Sequence, residues 1–83
     1  MFYYCYVLYS EKLDKYYIGS SRDPEGRLRR HNSSGKGFTS AGKPWKLKYW
    51  EVFEDKSSAQ KRELQLKNWK NRTALEDLIN KGM

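Results

Sequence analysis

Five side chains in this sequence could do chemistry together: Tyr6, Tyr17, Arg27, His31 and Glu63. Phenols and an imidazole can take up or release a proton. A guanidinium grips an anion with a planar fork, and a single carboxylate can hold a hard divalent cation that keeps most of its water. Phosphodiester hydrolysis needs parts of this kind: a nucleophilic water, charge to neutralise the growing anion, and help for the leaving oxygen. Taken singly, each residue also has a structural reading. Strand tyrosines fill cores, and Arg27 lies in a basic run of the sort that makes general phosphate contacts. His31 is near a helix end, where a cation is favourable. Glu63 stands one helical turn before Lys67 and could pair with it at the surface.

The elements that must position these groups can be read along the chain. Residues 3–9 are rich in aromatic and β-branched side chains, as are residues 16–19, and the polar stretch between them suits a hairpin. With the turn centred on Lys12-Leu13, Tyr6 faces Gly19, and Tyr17 is diagonal to it on the same face. A glycine opposite Tyr6 is expected to leave the space over the hydroxyl open for a ligand. Asp23-Pro24 then opens a helix, with Asp as N-cap and Pro at the first helical position. Arg27 and His31 share one face of it, and it stops near Ser33-Ser34-Gly35. Residues 35–44 form a Gly-rich basic loop whose spacing is wrong for a phosphate-binding P-loop. Residues 45–53 alternate as a third strand, with Trp45, Leu47 and Tyr49 on one side and Lys46, Lys48 and Trp50 on the other. Ser57-Ser58-Ala59-Gln60 reads as a capping box opening a helix to about Lys70, with Glu63 at the edge of its inward stripe beside Ala59 and Leu66. Thr73-Ala74-Leu75-Glu76 repeats the device for a final helix with Leu75, Leu78 and Ile79 as its apolar face. The expectation is an α/β (α+β) fold in the order β-β-α-β-α-α, a small three-stranded antiparallel sheet flanked by helices.

Composition limits what this assembly can be. Eighty-three residues make one domain, 1–83, whose core must use large side chains; seven Tyr, three Trp and three Phe supply them. Trp45, Tyr49, Trp50 and Trp69 could include one base-stacking surface, although a chain this short needs most of them inside. Cys5 is the only cysteine, so an internal disulfide and a Cys-rich zinc site are excluded. Between Tyr4 and Tyr6 it reads as a small core residue. No apolar run approaches the roughly 18 residues that span a bilayer, and the N-terminus lacks the marks of a secretory signal. A cytoplasmic monomer without a membrane partner is the expectation. Seventeen Lys and Arg against ten Asp and Glu leave a formal charge of +7, which points to a polyanion, nucleic acid first. Arg22, Arg29, Arg30, Lys36, Lys43, Lys46 and Lys48 are the candidates for tracking a nucleic-acid backbone.

The ordered set of residues resembles the GIY-YIG nucleases, small bacterial ones in particular. Tyr4-Cys5-Tyr6 stands in the first motif and Tyr17-Ile18-Gly19 in the second. Arg27 and His31 follow in Arg-Leu-Arg-Arg-His-Asn, and Glu63 in Ala-Gln-Lys-Arg-Glu-Leu. The first motif departs from the pattern, with Tyr4 for Gly and Cys5 for Ile, but keeps Tyr6. The resemblance implies a metal-dependent endonuclease that cuts DNA before RNA, with little sequence specificity of its own. It implies Glu63 on one Mg²⁺ or Mn²⁺ ion, Arg27 on the scissile phosphate and Tyr6 as the base, its pKa lowered by Arg27 and the metal. Tyr17 would orient water or phosphate, and His31 would assist a tyrosine, the substrate or the proton itself. A polar residue after the Glu63 helix would be Asn68 or Asn71, and a protein partner could direct the domain to its substrate. The alternatives are a nucleic-acid-binding module that keeps the fold without cutting, and a basic protein-interaction adaptor.

Overall fold

The two aromatic segments pair as the hairpin requires. In the computed structural model, which describes residues 2–33, 41–69 and 71–82, β1 (Tyr3–Ser10) runs antiparallel to β2 (Lys15–Ser21), with Tyr6 opposite Gly19. Asp14 closes the turn at φ 53°, a left-handed conformation that Asp tolerates because its short carboxylate bonds locally. That carboxylate accepts hydrogen bonds from Tyr9 and Arg72, both at 2.5 Å, which ties the hairpin to the last helix. Asp23 caps α1 (Pro24–Ser33) as expected, its Oδ1 accepting from the Gly26 N–H at 3.0 Å. A side chain at Gly26 would collide with that carboxylate.

β3 (Trp45–Phe53) pairs antiparallel with β1, giving the sheet order β2-β1-β3 with β2 at an edge. Its register shifts between Val7 and Leu8, which pair with Tyr49 and Leu47 and leave Lys48 as the extra residue. This bulge overturns the simple alternation expected for the strand, because an extra residue resets which face follows. Trp45 and Leu47 pack with Tyr6, Leu8, Tyr17 and Leu28 on the α1 side. Tyr49 instead joins Cys5, Val7, Leu66 and Leu75 on the opposite side, covered by α2 (Lys56–Asn68) and α3 (Arg72–Gly82). Trp45 and Tyr49 are core, as a short chain needs, while Trp50 and Trp69 are exposed.

Both later helices begin earlier than their sequence boxes suggest. α2 is capped by Asp55, which accepts from the Ser58 N–H at 2.7 Å, not by Ser57. α3 is capped by Asn71, whose Oδ1 accepts from the N–H groups of Thr73 and Ala74. Asn71 is therefore occupied in starting the last helix. Cys5 is a core thiol, 1% exposed, and burial pushes its pKa up to about 12. No described helix is long and apolar enough to cross a membrane.

Candidate nucleic-acid cleavage site

The edge strand β2 lies between α1 on one face of the sheet and α2 on the other, so side chains from both helices meet around it. Across its C-terminal end runs an open groove of about 480 Å³, lined by Ser20, Arg22, Arg27, Arg30, Lys56 and Gln60 among others. Among the described residues, Arg27, Arg30 and Lys56 enter no ion pair. Cations left without counter-ions in a concave surface make a site for a polyanion.

Glu63 stands behind this lining. Its Oε1 accepts from the Ser20 hydroxyl at 2.7 Å, and its Oε2 from the Lys67 ammonium at 2.5 Å. The surface pair with Lys67 thus exists, but it is half of the arrangement. The Glu63 side chain is only 19% exposed and is fixed to the sheet through Ser20. One oxygen is held by a neutral hydroxyl, and the other already faces a cation. That donor set suits a hard divalent ion bound through one carboxylate and its own waters. No cluster of three His, Cys, Asp or Glu side chains occurs among the described residues.

Tyr6 lies over Gly19, the residue before Ser20. A Cβ built on Gly19 would stand 2.7 Å from the Tyr6 hydroxyl and 3.2 Å from the Tyr17 ring. The glycine therefore makes room for Tyr6 itself, where the sequence suggested open space for a ligand. Tyr6 is 3% exposed, and burial pushes its pKa up to about 12, with Tyr17 and Glu63 adding to the rise and Arg27 opposing it. The expected lowering of this phenol is absent from the free protein. Yet the same causes place Tyr17, Arg27 and Glu63 within electrostatic reach of one hydroxyl.

His31 is set by its neighbours. The Asn32 side chain donates to the Trp45 carbonyl at 3.1 Å and accepts from its N–H at 2.6 Å, locking the end of α1 to the start of β3. The imidazole then stacks edge-on against Tyr17, with centroids 4.5 Å apart, and lies near Trp45. Its Nδ1 is buried without a hydrogen-bond partner among the described residues. Burial, followed by the charges of Arg27 and Arg30, lowers its pKa from the ordinary 6.5, so a helix-end cation is not its role. Because the folded pKa is depressed, the unfolded chain binds the proton first, and stability falls as pH drops below about 6.5. Thermal melts from pH 7.5 to 5 should show this loss in the parent and a flatter profile in His31→Phe. Equal slopes would place the acid sensitivity elsewhere.

The backbone-tracking candidates divide. Arg22 and Arg30 line the groove, and Arg22 also sits over the Tyr3 ring at 5.9 Å. Arg29 is exposed and Lys43 partly exposed, neither on the groove lining. Lys46 pairs with Glu11 at 3.0 Å, and Lys48 lines a different hollow with Glu76 and Asp77. Neither lysine lines the groove. Lys36 lies outside the described residues. Ser20, Lys56 and Gln60 were not anticipated; their only sequence signal was adjacency to the second motif and to the start of a helix.

Comparison with known proteins then decides the family. The GIY-YIG catalytic domain matches residues 2–76. The chain belongs to the GIY-YIG family. A UPF0213 protein of Bacillus cereus is 37% identical over 81 residues, covering 95% of this chain and 82% of its own. A structure-specific endonuclease subunit, slx1 of Schizosaccharomyces japonicus, is 50% identical over 52 residues, covering 57% of this chain. That match spans only 19% of the slx1 chain. The solution structure of a UPF0213 protein from Bacillus halodurans superposes with a TM-score of 0.59 over 99% of this chain and 87% of that one, at 24% identity. It shares the fold. This GIY-YIG domain thus has relatives both among whole small bacterial proteins and within larger endonuclease subunits.

Proposed function

We propose that this domain is a divalent-metal-dependent endonuclease that hydrolyses nucleic-acid phosphodiester bonds, DNA in preference to RNA, with little sequence selectivity. The observation that carries the reading is the convergence of Arg27, Glu63 and Tyr6 on one end of β2, beneath a groove lined by Arg22, Arg30 and Lys56. Membership of a catalytic-domain family and likeness to part of an endonuclease subunit support it. Arg27 holds the scissile phosphate, its fork matching two oxygens. Glu63, oriented by Ser20, would hold Mg²⁺ or Mn²⁺ through its carboxylate. The ion, when bound, supplies charge to the phosphate and acidity to a water. Tyr6, which Arg27 already favours as the anion against the burial that raises its pKa to about 12, would first lose its own proton to solvent and as the phenolate would accept the proton of the attacking water. Tyr17 keeps Tyr6 and His31 in register, and His31, neutral at pH 7, is the second group able to take a proton. The slx1 relative is named as a subunit, which supports a protein partner that chooses the substrate. The domain acts as a monomer in the cytoplasm.

A second reading has its own observation. Burial keeps Tyr6 protonated and Lys67 already neutralises Glu63, an arrangement that would also serve a module that binds without cutting. Both readings expect electrostatic affinity. The groove cations Arg22, Arg27, Arg30 and Lys56, at roughly 0.9 counter-ion per phosphate contact, give a slope of log affinity against log salt of about −3.6. Between 50 and 200 mM salt, binding to duplex DNA should weaken on the order of a hundredfold. Fluorescence anisotropy checks this, and a nearly flat salt response would contradict it. Cleavage of the same DNA with Mg²⁺, and its loss with a chelator, separates the enzyme from the binding module.

A further inference from the structure

We infer that a second hollow on β2 takes an unpaired nucleobase of the strand being cut, stacked on Trp69, so that the preferred substrate carries single-stranded nucleotides beside the scissile bond. This rests on the cleavage reading above. The hollow is lined by Tyr17, Ile18, Leu66, Lys67, Trp69 and Arg72 among others. Its position is the first argument. β2 carries the cationic groove at its Ser20–Ser21 end and this hollow at its Lys15–Ile18 end, and Glu63, bonded to Ser20 and Lys67, stands between them. Tyr17 and Lys67 belong to the hollow and touch the site directly. Three strand steps lead from Tyr17 to Ser20, a span of about 10 Å, or about three steps of a nucleic-acid strand.

The chemistry of the hollow is the second argument. Its floor is apolar, from Ile18, Leu66 and Leu75, and its rim holds Lys15, Lys67 paired with Glu63, and Arg72 paired with Asp14 and Glu76. Trp69 ends α2, its N–H donating to the Leu66 carbonyl at 3.2 Å. Arg62 lies over its ring at 5.4 Å, which pins the indole while the residue stays 38% exposed. A pinned, accessible indole in an apolar-floored hollow with a charged rim fits the flat face of a base. A paired base cannot offer that face without leaving its stack.

The test uses two DNA probes in chelator, a fully paired duplex and the same duplex with a single-stranded flap, measured by anisotropy. Trp69→Ala should weaken flap binding about ten- to a hundredfold and duplex binding less than about twofold. Trp69→Phe, which keeps an aromatic face and the fold, should retain most of the flap preference, and Trp50→Ala, an exposed indole outside the hollow, should change neither. A 2-aminopurine at the first unpaired position should be quenched by the parent protein and not by Trp69→Ala. Equal losses on both probes, no loss on either, or no quenching by the parent would overturn the assignment. These readouts need no cleavage, so a parent that fails to cut in Mg²⁺ sinks the enzyme reading alone, and an indifferent Trp69 sinks only this one.

Discussion

Glu63→Gln is expected to reduce Mg²⁺-dependent cleavage by at least about 10³-fold, because a bound metal contributes several kcal/mol to the transition state and each tenfold in rate is about 1.4 kcal/mol. The substitution is nearly isosteric. The glutamine carbonyl can still accept from Ser20, now at 2.7 Å from Glu63, and what disappears is the charge facing Lys67. Lys67 is half exposed, so the lost pair costs only a few tenths of a kcal/mol and the fold survives. Affinity for DNA should stay level or rise slightly, since one negative charge near phosphate has gone. Single-turnover cleavage, anisotropy and circular dichroism measured together check all three. Parental cleavage by a folded Glu63→Gln would remove the carboxylate from the mechanism.

Tyr6→Phe should fall by roughly 10²–10⁴ in rate, the range for losing a general base. The ring stays in the core beside Leu8 and Trp45, so stability should change little. The pH profile carries more information than the rate. Burial holds Tyr6 at about 12 in the free protein, so a phenolate base makes cleavage rise with pH from 7 to 9, and Tyr6→Phe should lose that rise. If the variant is slow but keeps the parental slope, the hydroxyl only orients the water and the proton goes to another group, His31 first.

Much of this arrangement could be read in the residues before any coordinates. The hairpin, the Asp23 cap, the edge position of Glu63 and the Tyr6–Gly19 pairing follow from local rules of turns, caps and strand periodicity. The failures have a common cause. Asp55 and Ser57 both offer a capping oxygen within one turn, and only packing decides between them. The bulge at Lys48 depends on how β3 pairs with β1, a long-range event that moved Tyr49 to the other core and left Lys48 in a hollow away from the groove. Ser20, Lys56 and Gln60 became part of the site because three elements converge on one end of β2. Burial, too, is a property of the fold: the types of Tyr6 and His31 suggested proton transfer, but the directions of their pKa shifts came from their surroundings.

The central claim is that Arg27, Glu63 and Tyr6 form one phosphodiester-cleaving centre that requires a divalent ion. Its most direct measurement is cleavage of end-labelled flapped DNA by the purified protein, with Mg²⁺, with Mn²⁺ and with chelator, at a salt concentration where binding is complete. Nicking with either ion and none with chelator is the expected result, at unchanged binding. Saturated binding with no nicking under any of these conditions, or nicking that persists in chelator, would contradict it.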